Sequence, residues 1–428
     1  LILASELMRE AGRLLEKGLH PLLVVKGYQA ALETTLQVLE QRIERISPTD
    51  IDRLMLVAKT SMTGTAAESG SDHLARCIVD AAQTVAGESN GVLHVRTEDV
   101  RMTKRGEGTL SDTSLLQGLV LERRFELDRM PRNLSSGSVA VLSCPIALEQ
   151  SAREAEIEIS SPDEWVAFME EEERLLEKKS LQILESGATI VVCAEEIDPR
   201  ALHRFVDAGL FVLAGFERAG AEDVAKASGA QLIDHLDDLT ASALGTFESM
   251  NVEIFEGEDA RRERIHLDFG KNSGLATVDV GGGDGVATEE IIRGLYDALC
   301  SVTSAMETGE VLLGGGSLHI AASLAIKDAA EQHGGRERLA MEAFSRALEA
   351  IPSVLISNSG NDQLDCLLEL RAQHRQGNSS FGVAETGLCE PIDQAWASAE
   401  TLAHGLEAAC DTACGLLRVD QVISARGD

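Results

Sequence analysis

Ile292-Arg-Gly-Leu-Tyr-Asp-Ala-Leu-Cys300, Leu312-Leu-Gly-Gly-Gly-Ser317 and Ser357-Asn-Ser-Gly-Asn-Asp362 are the three pieces of sequence from which the rest of the chain can be read. The first places a carboxylate, Asp297, among apolar residues of a helix. In the second, a triple glycine (Gly314, Gly315, Gly316) opens another helix, where bare backbone N–H groups can meet an anion. The third is a turn whose amide and backbone groups suit a nucleobase. Each piece alone is weak; together they point to a nucleotide pocket.

Working outward, 428 residues are too many for one ordinary core, so two or three domains are expected. Hydrophobic residues make up 44% and aromatics only 3%, which leaves Ala, Val, Ile and Leu to build the cores. No apolar run approaches bilayer length and the N-terminus is not signal-like, so a cytoplasmic location is expected, with no membrane partner. Acidic residues number 71 against 38 basic, a net charge of −33. Spread along the whole chain and poor in Lys, this balance reads as adaptation to high salt; the rival reading is a surface for a cationic partner. With no basic stripe to meet phosphates, nucleic acid is disfavoured as a partner. The 8 cysteines are scattered through apolar patterns and read as buried free thiols. Cys410 and Cys414 are one helical turn apart, without a second ligand pair nearby.

In chain order, residues 1–45 predict two helices, and 48–90 predict more helix around the small-residue turn 60–65. A β-rich stretch follows to about Leu121. Val139–Cys144 is an apolar strand, and Ser161-Pro-Asp-Glu164 starts a long helix to about Gly187 with a capping hydroxyl, Pro at the first position and acids in the first turn. Strand and helix then alternate through Ile233, predicting a small α/β domain with parallel strands. Residues 250–280 show β alternation, and 287–428 read as helical apart from Gly-rich turns and a break near 377–390. The flanks share one character and the middle another, so a domain inserted within a domain is expected, with the two helical ends packed on each other.

Gly334-Gly335-Arg336-Glu337-x-Leu339-Ala340-x-Glu342-Ala343-Phe344, Ala347-Leu348-Glu349-x-Ile351-Pro352, Asn358-x-Gly360 and Leu370-Arg371-Ala372-x-His374 resemble the group II chaperonins, the thermosome and TCP-1 ring family. Further matches run in order along nearly the whole chain, including Gly18-x-His20-Pro21, Gly27-Tyr28, Asp112-Thr113-x-Leu115, Met130-Pro131, Asp237-Asp238-Leu239 and Leu417-Arg418-Val419-Asp420. The resemblance implies a multidomain α and α/β fold. A helical equatorial domain would take 1–46 and 314–428, an intermediate domain 47–119 and 277–313, and an apical α/β domain 120–276, with a helical protrusion from about 161. It also implies ATP and Mg²⁺ as cofactors, unfolded client proteins, and same or paralogous subunits in a double ring, here of an archaeal and halophilic kind.

Residue by residue, the resemblance gives Asp297 the role of positioning the water that attacks the γ-phosphate, chemistry that phosphoryl transfer needs. It gives Gly314, Gly315 and Gly316 backbone contact with the nucleotide, Asn358 and Ser359 contact with the base, and Gly64 and Thr65 a loop near the phosphates. Trp165, Phe168 and Met169 fall at the start of the protrusion, as substrate or lid residues. The chain departs from the family in several places. Its phosphate and Mg²⁺ loop would precede Leu1, Ala397 stands at an acidic ribose position, Leu313 replaces a Pro, and His319 stands where Glu is common. An N-terminally incomplete subunit that as it stands binds ATP poorly or not at all is therefore expected, with a nucleotide-independent holdase or degenerate paralogue as the alternative. Val278-Asp-Val-Gly-Gly-Gly-Asp-Gly285 also looks like the first motif of S-adenosylmethionine-dependent methyltransferases, a rival that needs a doubly wound sheet beyond it.

Overall fold

The computed structural model describes residues 1–89, 91–122, 127–147, 162–256, 261–270, 273–283 and 285–419. Helices are α1 (Ile2–Glu16), α2 (Pro21–Arg42), α3 (Ile51–Met62), α4 (Ser71–Val85), α5 (Pro162–Glu185), α6 (Pro199–Asp207), α7 (Arg218–Ser228), α8 (Val286–Thr308), α9 (Ser317–Gln332), α10 (Glu337–Leu348), α11 (Ala350–Asn358), α12 (Gln363–Arg375) and α13 (Ala399–Leu417). The chain forms two compact units, one of 1–79, 90–93 and 289–428, the other of 80–89 and 94–288.

The first unit is helical and is built around α2. Pro21 takes the first helical position, and the His20 side chain accepts from the Leu22 N–H at 3.2 Å, which gives the His-Pro pair a capping job. One face of α2 buries Val24, Val25, Tyr28, Ala31 and Leu39 in a core shared with α1, α9, α10 and α13. The two ends of the chain thus share a core, as the sequence pattern requires. Gly27 permits the closest approach: a Cβ there would sit 2.5 Å from Ala340 Cβ. Beside it, Tyr28 meets the Phe344 ring edge-on at 5.5 Å and donates its hydroxyl to the Leu7 carbonyl at 2.7 Å. The run 287–428 is not wholly helical. Strands Glu310–Leu313 and Trp396–Ser398 pair antiparallel, with Glu44–Arg45 on the other edge of Glu310–Leu313. Two more strands, Phe381–Val383 and Cys389–Pro391, form a hairpin. These strands hold three or four residues each, too few to show a period of two against a helical background.

The second unit carries the expected α/β layer. Phe211–Leu213, Ile190–Cys193, Gly137–Leu142 and Leu232–Ile233 lie side by side and parallel, and Gly245–Phe247 adds antiparallel to Gly137–Leu142. Both faces of the central strands are apolar and buried, as a sheet covered by α5, α6 and α7 demands. The Ser161 cap predicted for α5 lies outside the described residues. A second sheet joins Gly118–Glu122, Arg261–Asp268, Ser249–Glu256 and Asn133–Leu134.

Ala276–Gly283, the glycine-ended strand that resembles a methyltransferase motif, is the middle of a three-stranded sheet between Val100–Gly106 and Ser114–Leu116. Its Asp279 is buried and paired with buried Arg264, Nη2 to Oδ1 at 2.6 Å and Nη1 to Oδ2 at 3.1 Å. Gly281 donates to Thr113 Oγ1 at 3.1 Å, and a Cβ on it would fall 2.1 Å from the Thr109 carbonyl. The glycines therefore serve packing against their own sheet. The chain then enters α8 and, among the described residues, no doubly wound sheet follows, which removes the methyltransferase reading.

Candidate functional site

Asp297, Gly64, Thr65, Gly314–Gly316, Asn358 and Ser359 all lie in the helical unit. Asp297 is exposed on α8, flanked on the buried face by Leu295, Ala298 and Leu299. One turn earlier, Gly294 faces the loop after α3, and its Cβ position is 3.1 Å from Thr65 Oγ1. One turn later, Ser301 donates to the Asp297 carbonyl at 3.0 Å and to Ser61 Oγ at 3.4 Å. The Asp297 turn is thus held against the end of α3, next to Gly64 and Thr65. That loop is ordered by its own bonds: Thr65 Oγ1 donates to the Met62 carbonyl at 2.6 Å, and the Gly64 N–H to Glu68 Oε2 at 3.1 Å.

The same end of α3 reaches the triple glycine through one strand. Thr60 Oγ1 accepts from the Trp396 N–H at 3.0 Å, Trp396 pairs with Leu313, and the Gly314 N–H bonds the Ala395 carbonyl at 2.9 Å. Gly315 and Gly316 both adopt left-handed backbone, φ 59° and 72°. A Cβ on Gly315 would fall 2.1 Å from Ile392 Cδ1 and 2.7 Å from the Val383 carbonyl; one on Gly316 would fall 2.9 Å from Pro352 Cβ. Only glycine fits either place. The Gly315 carbonyl is taken by the Val383 N–H at 2.8 Å, whereas the N–H groups of Gly315 and Gly316 bond nothing among the described residues. Two unused donors at the start of α9 are what an anionic phosphate needs.

Pro352, against Gly316, is in the first turn of α11, and Asn358 and Ser359 end that helix, both exposed. They lie beside the turn that closes the 381–391 hairpin. A Cβ on Gly387 would meet Ser359 Cβ at 2.3 Å, and Asn361 Nδ2 donates to the Thr386 carbonyl at 2.8 Å. This hairpin, which carries Val383 to Gly315 and Gly387 to Ser359, was not anticipated as part of the site. Gly382 and Thr386-Gly387 were its signals in the sequence.

The quoted Leu370-Arg371-Ala372-x-His374 motif acquires local roles. His374 Nε2 is 2.9 Å from the Phe381 carbonyl, and Arg42 donates to the Ser379 carbonyl at 3.1 Å, so both anchor the hairpin. Burial, together with nearby Arg42, holds the His374 imidazole below its ordinary value. Arg371 pairs with Glu349 in a bidentate contact along one guanidinium edge, Nε to Oε1 at 3.0 Å and Nη2 to Oε2. Glu349 also accepts from Lys327 at 2.8 Å and Ser323 at 2.7 Å. Burial alone would push this carboxyl up, but the bonds from Arg371, Lys327 and Ser323 outweigh it and hold it below the usual carboxylate range. His319, one turn before Ser323 on α9, is pushed down to about 4 by burial, and its Nδ1 has no partner among the described residues.

Ala397 lies in the strand beside the triple glycine, opposite Leu312, and offers only a methyl group. The residues present suit the phosphates and base of a nucleotide. Among the described residues no group of three or more His, Cys, Asp or Glu is arranged to hold a metal. Trp165, Phe168 and Met169 belong to the other unit, on α5. Trp165 and Met169 are exposed, and the Trp165 and Phe168 rings lie 6.5 Å apart. Leu176 and Ile183 of the same helix are fully buried, so its far end is the docked one.

A profile of the TCP-1/cpn60 chaperonin family matches residues 1–427. A thermosome subunit of Methanopyrus kandleri is 34% identical over 99% of this chain and 78% of its own length. Thermosome subunit alpha of Archaeoglobus fulgidus is 32% identical over 100% of the chain and 78% of its own length. The structure is similar to an open-state monomer of a group II chaperonin from Methanococcoides burtonii, with a TM-score of 0.65, 28% identity and 98% of each chain covered. With its helical unit, inserted α/β unit and glycine-led turn at α9, the chain belongs to the TCP-1/cpn60 chaperonin family.

Proposed function

We propose that this chain is an ATP-dependent chaperonin subunit that binds unfolded proteins and assists their folding within a ring of like subunits, in the cytoplasm. One observation carries the nucleotide part: two N–H groups, at Gly315 and Gly316, unbonded among the described residues, share a unit with an exposed carboxylate, Asp297, held against the Thr65 loop. In this reading Gly315 and Gly316 bind a phosphate, Asn358 and Ser359 face the base, and Asp297 orients a water molecule for attack. When bound, Mg²⁺ would draw charge from the phosphates; this chain's own part is to bind and orient. Positions 1–46 and 314–428 are read as the equatorial domain, 47–119 and 277–313 as the intermediate, and 120–276 as the apical. No helix among the described residues is long and apolar enough to cross a membrane. Exposed Trp165 and Met169 on α5 supply apolar surface for clients or for closing a cavity.

The test is titration of the 428-residue chain with a fluorescent ATP analogue, alongside its ability to suppress aggregation of a chemically unfolded protein. Saturable binding that Gly315→Ala removes supports the reading. Suppression of aggregation without any nucleotide binding favours a passive holdase.

A further inference from the structure

Glu349 is the only residue between α10 and α11, and it is buried. Its carboxylate joins two helices, and neighbouring bonds bring in two more. Ser323 and Lys327 reach it from α9, and Arg371 from α12. Ser345 of α10 touches Ser323 at 3.2 Å. Glu349 itself leads into α11, where Ser353 Oγ donates to its carbonyl at 2.8 Å. Those helices carry both ends of the candidate nucleotide site. α9 starts at Gly316, and α11 rests its first turn, through Pro352, on Gly316 and ends at Asn358 and Ser359. From Pro352 to Ser359, α11 spans about 10 Å at 1.5 Å per residue. That is a fixed spacer between a phosphate-binding turn and a base-binding turn.

We infer that Glu349 is a positioning residue that sets the separation and angle between the Gly314–Gly316 turn and the Asn358–Ser359 turn, by tying α9 and α12 to the root of α11. The inference rests on the nucleotide reading of this site. A buried carboxylate with two cationic partners and a hydroxyl holds its geometry tightly, because each partner left alone would be a buried unpaired group. Glu349 touches neither turn, so its effect falls on a ligand that must reach both and spares one that needs only the glycines.

The experiment compares ATP with inorganic tripolyphosphate, which has phosphates and no base, as ligands of the 428-residue chain and of Glu349→Gln. Expected is about a tenfold weaker Kd for ATP with tripolyphosphate changed less than twofold, about 1.4 kcal/mol on the base-dependent part alone. Loss of both ligands in equal measure, or of neither, overturns the inference while leaving the nucleotide site standing. Failure of the unsubstituted chain to bind ATP overturns the nucleotide reading and this inference with it. Should Glu349→Gln not fold, Ser323→Ala removes one bond and keeps the Arg371 pair. The same split, two- to threefold, is then expected, and its absence is equally decisive.

Discussion

Gly294 on α8 and Thr65 in the loop after α3 are in register, with the glycine's missing Cβ only 3.1 Å from the threonine hydroxyl. Because Gly294 is one turn before Asp297, this contact fixes how far the carboxylate stands from the loop. Two effects of opposite sign meet here: Ala favours the helix by about 1 kcal/mol over Gly, and a larger side chain must push the loop away. Gly294→Ala is expected to keep or slightly raise the Tm. Gly294→Val should lower it and, in a subunit that also carries the phosphate loop, reduce nucleotide turnover at least tenfold, with Asp297→Ala abolishing turnover at unchanged Tm. Thermal melts and a phosphate-release assay on the same preparations separate the two.

Gly315→Ala combines left-handed backbone with a Cβ driven into Ile392 and the Val383 carbonyl. A loss of about 2–3 kcal/mol in stability is expected, together with loss of nucleotide binding. Gly334→Ala, where nothing lies within 4 Å of the new methyl, is the matched control and should leave both unchanged. Urea titrations with a common slope give the comparison.

His319 ties stability to pH. Its imidazole is held near 4 in the folded chain against 6.5 when exposed, because burial disfavours the charged form. A depressed base binds fewer protons folded than unfolded. Its contribution is therefore complete above about 6.5 and is lost as pH falls from there toward 4. Glu349 acts at lower pH: its carboxyl is held down, so its contribution is present above the unfolded carboxylate range and lost as pH drops through the folded value. His319→Leu should therefore flatten the decline in Tm between pH 6.5 and 5, and an unchanged slope would show that another group titrates there.

Tyr28→Phe keeps the edge-on contact with Phe344 and deletes only the bond to Leu7, so about 1–2 kcal/mol is expected. Tyr28→Ala also empties a fully buried site at the centre of the helical core and should cost about 3–5 kcal/mol. Equal losses in denaturant melts would mean that the hydroxyl, not the ring, carries the site.

Much of this was legible before any coordinates. Alternation of strand and helix over 139–233 gave the parallel sheet because each strand is apolar on both faces, and His20-Pro21 marked the start of α2 through ordinary capping chemistry. The triple glycine could be recognised as a special turn, yet its partners could not. Ile392, Val383 and Pro352 come from three places in the sequence, and only folding brings them to one glycine. The hairpin was missed because strands of three residues leave no periodic trace. Glu349 has no visible role in the Ala347-Leu348-Glu349 motif, since a buried acid looks like any surface acid in sequence until Arg371 and Lys327 converge on it. The glycine run after Asp279 pointed toward a cofactor loop for the same reason: sequence shows the glycines but not that Thr109 and Arg264 already occupy the space and the charge.

The buried Arg264–Asp279 pair has a consequence at high ionic strength. At 1 M salt the Debye length is about 3 Å, so the ion pairs on the acidic exterior, such as Arg218–Glu222 and Arg293–Glu290, lose most of their attraction. Arg264, 1% exposed, and Asp279, 3% exposed, are beyond the reach of counterions and keep theirs. In brine the electrostatic part of fold selection therefore contracts to a few interior pairs. The Arg264–Asp279 tie between the sheet of Arg261–Asp268 and the sheet of Ala276–Gly283 becomes the salt-insensitive part of the molecule, and the charged exterior is left to manage hydration.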